Sequence, residues 1–285
     1  MRILITGAQG QVGWEAAQLL PALGEVLALD RAGLDLADAN AIRRVLRDFR
    51  PQVIVNAGAY TAVDRAQTEF ELARAINALA PGVLAEEAKR LGALLIHYST
   101  DYVFDGEKRE PYRETDPVRP LNAYGQSKLE GEQAILASGA SALILRTSWV
   151  YATRGKNFLL TMQRLGRERE ELGVVADQTG VPNWAWRLAA ATRELLRLGP
   201  PRLAAAPGIY HLTAGGSASW YDFAKAIFAG TDKPRLRPIS TAEYPLPATR
   251  PAYGVLSGAK LEDEFGLRLP HWREDLSACL ATQAG

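Results

Sequence analysis

The sequence predicts an α/β fold in which helices cover both faces of a parallel sheet. Two observations lead to this prediction. Short, near-continuously apolar runs recur through the first 150 residues, and helical stretches separate them. Strands that are apolar on both faces are typical of parallel sheets, which are buried between layers of helices. The chain has 285 residues, enough for one such doubly wound unit with a smaller mixed region appended to it.

Strands and helices alternate strictly in the first half of the chain. The apolar runs that we interpret as strands occupy residues 2–6, 25–30, 52–56, 93–99 and 142–146. Helices are expected at 11–20, 39–49, 70–91 and around Tyr124. Pro81 and Gly82 lie inside the third helical stretch and should kink or split it, because proline removes a backbone donor.

The regularity weakens beyond Trp149. Prolines and glycines cluster at 199–207 and 234–251. Helices are expected at 157–171, 185–198 and 219–229. We therefore expect residues 151–285 to form a smaller region beside the sheet, with some segments returning to it.

The composition argues against several classes of protein. With a formal net charge of +1, nothing indicates a surface for nucleic acid or membrane. A single cysteine, Cys279, excludes an intramolecular disulfide, and the three histidines are far apart in sequence, so we expect no zinc site. No run reaches the ~18 apolar residues that a membrane span needs, and we expect no leader before the first strand. We expect a cytoplasmic protein.

A glycine-rich loop follows the first strand and opens the first helix. Gly7, Gly10 and Gly13 are spaced three residues apart in it. Such glycines permit a tight turn and a close backbone approach to a pyrophosphate, which the helix N-terminus then faces with free N–H groups. The spacing is a weak signal alone, but it becomes strong after a strand and before an acid that ends the next one. It predicts a Rossmann-type dinucleotide site.

The acid that ends the second strand is Asp30, which can accept hydrogen bonds from the ribose hydroxyls of an adenosine. Arg31 follows at once, and an arginine there can hold a 2′-phosphate instead, or simply be solvated. Asp30 therefore favours NADH, whereas Arg31 favours NADPH. Both NADH and NADPH therefore remain open as the cofactor.

Tyr124 and Lys128 lie four residues apart on a predicted helix, so their side chains share one face. A fixed positive charge near a tyrosine favours the phenolate, and we expect Lys128 to lower the pKa of Tyr124. A tyrosine tuned in this way can exchange a proton near neutral pH while a hydride moves elsewhere. The pattern arises by chance on many helices, so its weight depends on the glycine loop.

The glycine loop together with Tyr124 and Lys128 resembles the extended short-chain dehydrogenase/reductase superfamily. Longer runs are similar to the dTDP-4-dehydrorhamnose reductases, in order and over essentially the whole chain, at 10–15, 56–64, 97–106, 146–151, 177–180, 220–222 and 250–251. The resemblance implies an NAD(P)-binding Rossmann domain at 1–150 and a nucleotide-sugar region at 151–285. It also implies NAD(P)H-dependent reduction of the C4 ketone of dTDP-4-dehydro-β-L-rhamnose to dTDP-L-rhamnose, the last step of dTDP-rhamnose biosynthesis.

The resemblance also implies residue roles. Thr100 would hydrogen-bond the substrate carbonyl, Tyr124 would donate the proton, and Lys128 would bind the nicotinamide ribose. Cofactor contacts are implied for residues of the glycine loop, of the strand ends and of the Tyr124 helix. These residues are Gly7, Gly10, Gln11, Val12, Gly13, Asp30, Arg31, Asp35, Leu36, Ala57, Ala59, Tyr60, Thr61, Tyr98, Tyr124 and Lys128. Substrate contacts are implied for Thr100, Asp101, Trp149, Asn157 and Arg250.

Some of these residues have a plainer interpretation. Outside the family context, Trp149 would be a core tryptophan beside an apolar strand, and Arg250 a solvated loop arginine. His97 lies within an apolar strand and is expected to be a satisfied core histidine.

Metal dependence and assembly are weaker points of the resemblance. Some family members hold magnesium between glutamates at a dimer seam. Glu15 matches one such position, but Trp186 stands where a second would be, and residues 281–285 contain no glutamate. We therefore expect no required metal and either a monomer or a homodimer.

Two other functions fit the same fold. One is a nucleotide-sugar dehydratase or epimerase. Dehydratases of this kind usually place Asp-Glu after the threonine, since elimination of water needs a further acid and base. Here Asp101 and Tyr102 follow Thr100. A regulatory subunit that binds nucleotide without reaction, such as the β-subunit of methionine adenosyltransferase, would tolerate loss of catalytic residues, yet all three are present.

Overall fold

The computed structural model of the chain describes residues 1–232 and 234–283, so Ala284 and Gly285 of the glutamate-free tail lie outside the described residues. Its centre is a six-stranded parallel sheet in the order β10-β5-β4-β3-β1-β2. These strands are β1 (Arg2–Thr6), β2 (Glu25–Leu29), β3 (Val53–Asn56), β4 (Leu94–Thr100), β5 (Ala142–Thr147) and β10 (Gly208–His211). The predicted α/β class is confirmed.

Helices cover both faces of this sheet. The described helices are α1 (Gln11–Leu19), α2 (Ala39–Phe49), α3 (Phe70–Arg74), α4 (Ala80–Leu91), α5 (Ala123–Ser138), α6 (Phe158–Glu168), α7 (Ala185–Arg197), α8 (Pro200–Ala204), α9 (Trp220–Ile227), α10 (Ala259–Phe265) and α11 (Trp272–Ala281). Of these, α6, α9 and α11 pack in a separate core and do not cover the sheet. Alternate residues of one strand serve opposite faces: Ile3 and Ile5 pack in the layer with α1 and α7, and Leu4 in the layer with α2 and α4.

The third predicted helix is interrupted just before its proline. A π-helical turn, Ala75–Leu79, separates α3 from α4, and Pro81 lies in the first turn of α4. Proline is tolerated there because the first N–H groups of a helix have no partner inside it. The break therefore precedes Pro81.

Residues beyond 150 build a smaller region with its own core around Tyr151, Trp184, Phe223 and Trp272. Its short strands pair as β6 (Val150–Tyr151) with β9 (Asn183–Trp184), β8 (Thr179–Gly180) with β11 (Ala218–Ser219), and β7 (Glu171–Val175) with β12 (Arg235–Ile239). Several elements of this half belong to the central unit. Strand β10 extends the sheet beside β5, α7 packs on α1, and α8 and α10 also contribute to the core of the sheet. The division at residue 150 stays a prediction.

The described part of the chain contains no helix that is both long and apolar enough to cross a membrane.

Candidate active site

The catalytic candidates lie at the carboxyl ends of β4 and β5, where the helix α5 begins. The side chain of Asn122 caps α5 by accepting the N–H of Gly125 (2.8 Å), and its amide donates to the carbonyl of Thr249 (2.8 Å). This cap fixes the first turn of α5, which carries Tyr124, against the segment before Arg250. Lys128 follows one turn later and is buried.

Lys128 is held from the side of the sheet. Its Nζ donates to the carbonyl oxygen of Tyr98 (2.7 Å) and lies 3.2 Å from Nε2 of His97. Burial lowers the pKa of Lys128 to about 8, while the charge of Glu132, one turn further along α5, acts in the opposite direction.

The pKa of Tyr124 differs from the sequence-based expectation. Burial raises it to about 12, an interaction with the Thr100 hydroxyl lowers it, and the charge of Asp101 raises it further. Lys128 is not among these influences, since its ammonium is directed at Tyr98 and His97. The phenol therefore keeps its proton at neutral pH, which is the state that a proton donor requires.

Thr100 is the last residue of β4, and Asp101 is the first residue of the turn that follows it. The Thr100 hydroxyl donates to Asp101 Oδ1 (3.1 Å) and accepts the N–H of Tyr102 (3.2 Å), which begins the short turn Asp101–Val103. Asp101 is 2% exposed, and its Oδ2 has no hydrogen-bond partner. Burial raises the pKa of this carboxyl to about 7, so it titrates near neutral pH.

The glycine loop leaves no room for side chains. A Cβ at Gly7, where φ is +71°, would lie 2.5 Å from the Cα of Gly58, and one at Gly13 would lie 2.2 Å from the carbonyl oxygen of Gly7. Gly10 precedes α1 and offers no side-chain cap to the helix N-terminus. The N–H groups of the first turn are thereby left for an anionic ligand, which fits the pyrophosphate of a dinucleotide.

A cavity of about 600 Å³ extends from this loop to α5. The cavity is lined by every predicted cofactor residue except Gly13. Gly13 instead packs against the backbone of Gly7. The predicted cofactor residues that line the cavity are Gly7, Gly10, Gln11, Val12, Asp30, Arg31, Asp35, Leu36, Ala57, Ala59, Tyr60, Thr61, Tyr98, Tyr124 and Lys128. Its volume and donors fit a nicotinamide dinucleotide.

At the far end of the cavity, Asp30 and Arg31 have different surroundings. Oδ1 of Asp30 accepts the N–H groups of Ala32 and Gly33 (3.0 Å each), so the carboxylate orders its own turn. The Arg31 side chain is 76% exposed and lies 3.9 Å from the carboxylate of Asp35. Arg31 is therefore a solvated cation at the edge of the cavity.

Three predicted site residues have their polar groups engaged elsewhere. The hydroxyl of Tyr98 lies 2.5 Å from that of Thr192 on α7, so this side chain is directed away from the cavity that the residue borders. The Asn157 amide caps α6 and donates to Oε1 of Gln11 (2.9 Å). Arg250 is paired with Asp64. The sequence does not show these partners, because each comes from a distant segment.

Trp149 adopts a backbone conformation that is rare for a residue other than glycine, with φ at +43°. Its ring stacks face to face on that of Trp220, with centroids 3.4 Å apart. Gly180 lies beneath it, where a Cβ would be 2.5 Å from the ring. Among the described residues, Trp149 and the other four substrate candidates are not part of the lining of the 600 Å³ cavity.

Asn77 is a buried residue next to the cavity-lining Tyr60 that the sequence did not reveal. It lies in the π-helical turn and is buried. Its Oδ1 accepts the N–H of Tyr60 (2.8 Å), while Nδ2 donates to the carbonyl of Tyr60 (3.0 Å) and to the Ser127 hydroxyl (3.0 Å). Asn77 thus ties the loop after β3 to α5. The one sequence feature that could have indicated this role is that Asn77 is a polar residue among apolar ones, shortly before Pro81.

Residues 1–284 match the family model described as the RmlD substrate binding domain. A relative named dTDP-4-dehydrorhamnose reductase from Burkholderia thailandensis is 49% identical over 98% of each chain, and one from Escherichia coli K12 is 44% identical over 96% of this chain and 95% of its own. The chain belongs to the dTDP-4-dehydrorhamnose reductase family. The predicted resemblance is therefore confirmed.

Solved structures of this family superimpose closely. The reductase ortholog from Clostridium acetobutylicum covers all of both chains with a TM-score of 0.94 at 40% identity. The reductase from Bacillus anthracis, solved in complex with NADP, covers 99% of both chains with a TM-score of 0.93 at 37% identity. A UDP-glucose 4-epimerase from Thermus thermophilus, 23% identical with a TM-score of 0.82, shares the Rossmann-type fold.

Glu15 was considered as one residue of a metal site. It is partly buried, and burial raises the pKa of its carboxyl, against the charge of Arg154. Within residues 1–232 and 234–283, no group of three or more His, Cys, Asp and Glu side chains is arranged to hold a metal ion. Trp186 stacks on Trp184 at 4.9 Å between ring centroids. The expectation of no required metal stays a prediction.

Proposed function

We propose that this protein reduces the C4 ketone of dTDP-4-dehydro-β-L-rhamnose to dTDP-L-rhamnose with a reduced nicotinamide cofactor. The observation that carries the proposal is the joint position of Thr100, Tyr124 and the buried Lys128 beside a dinucleotide-sized cavity. The proposal is also supported by membership in the reductase family, since the similarity covers nearly the whole chain. The bound cofactor supplies the hydride.

The chemistry of the protein's own residues follows from their surroundings. Reduction of a ketone builds negative charge on the carbonyl oxygen, and donors aimed at that oxygen stabilise it. Thr100 and Tyr124 would supply two hydroxyls, and Tyr124, whose pKa is raised to about 12, would transfer its proton to the oxygen as it becomes an alkoxide. A phenol that holds its proton in the resting state fits a single protonation.

Lys128 is proposed to hold the nicotinamide ribose. Two of its three ammonium hydrogens are directed toward Tyr98 and His97, which leaves one for a ligand in the cavity. The glycine loop and the uncapped N-terminus of α1 would hold the pyrophosphate. Asp30 and Arg31 support either NADH or NADPH, and the NADP complex of the Bacillus anthracis relative adds support for NADPH.

The sugar nucleotide is proposed to contact Asp101 and Trp149 first. Asp101 offers an unpartnered carboxyl oxygen beside Thr100. Trp149 offers an aromatic ring that is stacked on Trp220 and carried by a strained backbone, a feature that is common at functional sites. Asn157 and Arg250 remain proposed contacts for sugar or diphosphate. Both would have to add that contact to the partners that they already have.

Simple reduction is favoured over dehydration by the residue that follows Asp101, Tyr102. A dehydratase of this fold uses a glutamate at that position, whereas here the Tyr102 ring packs edge to face on Tyr124 with centroids 5.5 Å apart. This aromatic contact supplies no acid or base for eliminating water. Net consumption of reduced cofactor is therefore expected, because dehydratases and epimerases regenerate theirs.

The remaining proposals concern the setting of the reaction. We propose a cytoplasmic monomer or homodimer that needs no magnesium and has no nucleic-acid or membrane partner. The test is an assay at 340 nm with dTDP-4-dehydrorhamnose and either NADH or NADPH, repeated after treatment with EDTA. Cofactor oxidation that depends on the sugar and survives EDTA supports the proposal, and activity that only added Mg²⁺ restores contradicts the metal-free part of it.

A further inference from the structure

A row of buried polar side chains crosses the sheet beneath Lys128. Thr6 on β1, Asn56 on β3 and His97 on β4 are register partners on three neighbouring strands, and each is at most 1% exposed. The hydroxyl of Thr6 lies 2.6 Å from Oδ1 of Asn56, and Nδ2 of Asn56 lies 2.8 Å from Nδ1 of His97. Nε2 of His97 lies 3.2 Å from Nζ of Lys128. The row therefore ends on a catalytic side chain.

Polar groups inside an apolar sheet are costly unless each donor meets an acceptor. The strands around this row are otherwise built from residues such as Ile5, Val55 and Ile96, which are fully buried. Apolar residues of similar shape could fill the same space with little or no loss of stability. Its continuity with Lys128 points to a role in the site.

The protonation of His97 decides what the row does to Lys128. A neutral imidazole carries one proton, and the hydrogen bond at one ring nitrogen sets the role of the other. If the Asn56 amide donates to Nδ1, the proton resides on Nε2 and faces the lysine, which must then be neutral. If the amide is turned by 180°, Asn56 accepts from Nδ1–H and its NH₂ group donates to the Thr6 hydroxyl, which then accepts instead of donating to Oδ1. Nε2 of His97 is then free to accept from an ammonium.

Two contacts of Lys128 favour the charged form. Its 2.7 Å distance to the carbonyl of Tyr98 is the short distance of a charge-assisted hydrogen bond. Glu132, on the same face of α5, favours the ammonium through its charge. Glu132 is itself paired with Arg146 on β5 (2.6 Å) and accepts from Ser99 on β4 (2.5 Å), so its charge is fixed in place.

We propose that His97 is a positioning residue that accepts a hydrogen bond from the Lys128 ammonium through Nε2, with its own proton held on Nδ1 by the turned Asn56 amide. In this arrangement Thr6, Asn56 and His97 act on the cofactor site through Lys128 and touch neither cofactor nor substrate. The row keeps the lysine protonated and aimed at the cavity, where the proposed function places the nicotinamide ribose.

The tautomer gives a test that does not depend on turnover. The chain has three histidines, so ¹⁵N-labelled histidine in the full-length protein gives a simple long-range ¹H–¹⁵N spectrum, with the His97 signals assigned by their loss in His97→Gln. We expect a neutral His97 with a protonated Nδ1 and a bare Nε2 between pH 6 and pH 8. Burial and the charge of Lys128 hold the pKa of His97 well below its usual range, which keeps the ring neutral. A proton on Nε2 would overturn the proposal.

A pair of variants tests the effect on Lys128. His97→Leu removes the acceptor, whereas His97→Gln can present its side-chain oxygen near the position of Nε2. Loss of a hydrogen bond from the Lys128 ammonium raises its acid dissociation constant by about tenfold or more. The basic limb of the pH profile of kcat/KM should therefore move toward acid by about one pH unit in His97→Leu. His97→Gln should restore the limb.

The control variant is Ile96→Val, which trims a fully buried neighbour on the same strand without touching Lys128. Ile96→Val should lower the urea midpoint and leave both the basic limb of the pH profile and the KM for NADPH unchanged. His97→Leu should shift the limb and also raise the KM for NADPH. Equal profiles for His97→Leu and the control would contradict the proposal. The kinetic arm rests on the proposed reductase activity, but the tautomer does not, so the two can fail separately.

Discussion

Arg250 and Asp64 form a two-point ion pair, with the guanidinium nitrogens 2.9 and 2.8 Å from the two carboxylate oxygens. The Asp64 carboxylate also accepts the N–H of Ala248 (3.1 Å). The pair joins the segment after β3, which carries Tyr60, to a segment 186 residues later. The resemblance implies a sugar or diphosphate contact for Arg250, and in the structure its guanidinium is paired with Asp64.

This pair predicts a pH-dependent loss of stability in Asp64→Asn. The hydrogen bonds from Arg250 hold the pKa of Asp64 below its usual value, so the stabilisation is present above the unfolded-state pKa of about 3.9 and is lost as the pH falls through the lower folded value. Because Asp64 is partly exposed, we expect about 1 kcal/mol at pH 7. Urea unfolding at pH 7 and pH 3 measures it, and a loss that is equal at both would contradict the assignment.

Tyr124→Phe removes the proposed proton donor and leaves the ring in place. General acid catalysis contributes about 10²–10⁴-fold, so kcat should fall by that factor while the Kd for NADPH changes little. Steady-state kinetics and a fluorescence titration with NADPH measure the two quantities. Tyr210→Phe is the matched control, because the Tyr210 hydroxyl donates to the carbonyl of Ala206 outside the cavity. Equal kcat in the two variants would remove Tyr124 from the chemistry.

Asp101→Asn should become more stable relative to the unmodified protein as the pH rises. Burial raises the pKa of Asp101 to about 7, so ionisation costs folding free energy between the unfolded value of about 3.9 and pH 7, and a neutral amide avoids that cost. Urea midpoints at pH 5, 6, 7 and 8 measure the difference. It should widen up to pH 7 and then level off, and a constant difference would mean that Asp101 does not titrate in this range.

Gly13→Ala should disturb the cofactor loop. The new Cβ would lie 2.2 Å from the carbonyl oxygen of Gly7, and such overpacking costs about 1–3 kcal/mol and displaces the loop. The Kd for NADPH, measured by calorimetry, should rise by about tenfold or more. Gly258→Ala provides the control, since the nearest atom to a Cβ there lies 3.8 Å away. An unchanged Kd in Gly13→Ala would exclude close backbone approach as the reason for this glycine.

The sequence predicted those parts of the fold and site that depend on local patterns. Apolar runs placed β1 to β5, and the loop at Gly7 to Gly13 and the Tyr124–Lys128 spacing located the cavity. It did not predict the pKa of Tyr124, because burial outweighs a neighbouring charge only once the surrounding chain is folded.

Features that depend on distant partners were missed. The role of Asn77 arises from a π-helical turn packed against Tyr60 and Ser127, and no local pattern specifies such a turn. The hydroxyl of Tyr98 is directed into α7 by Thr192, which comes from the second half of the chain. The pairing of β7 with β12 likewise joins short segments far apart in sequence.

The central claim is that Tyr124, Thr100 and Lys128 carry out one net ketone reduction on a dTDP-sugar. The most direct measurement is the stoichiometry of the reaction, with NADPH oxidation followed at 340 nm and the sugar product identified by NMR. We predict one NADPH consumed for each dTDP-L-rhamnose formed. Conversion of the 4-keto sugar without net loss of NADPH would contradict the account.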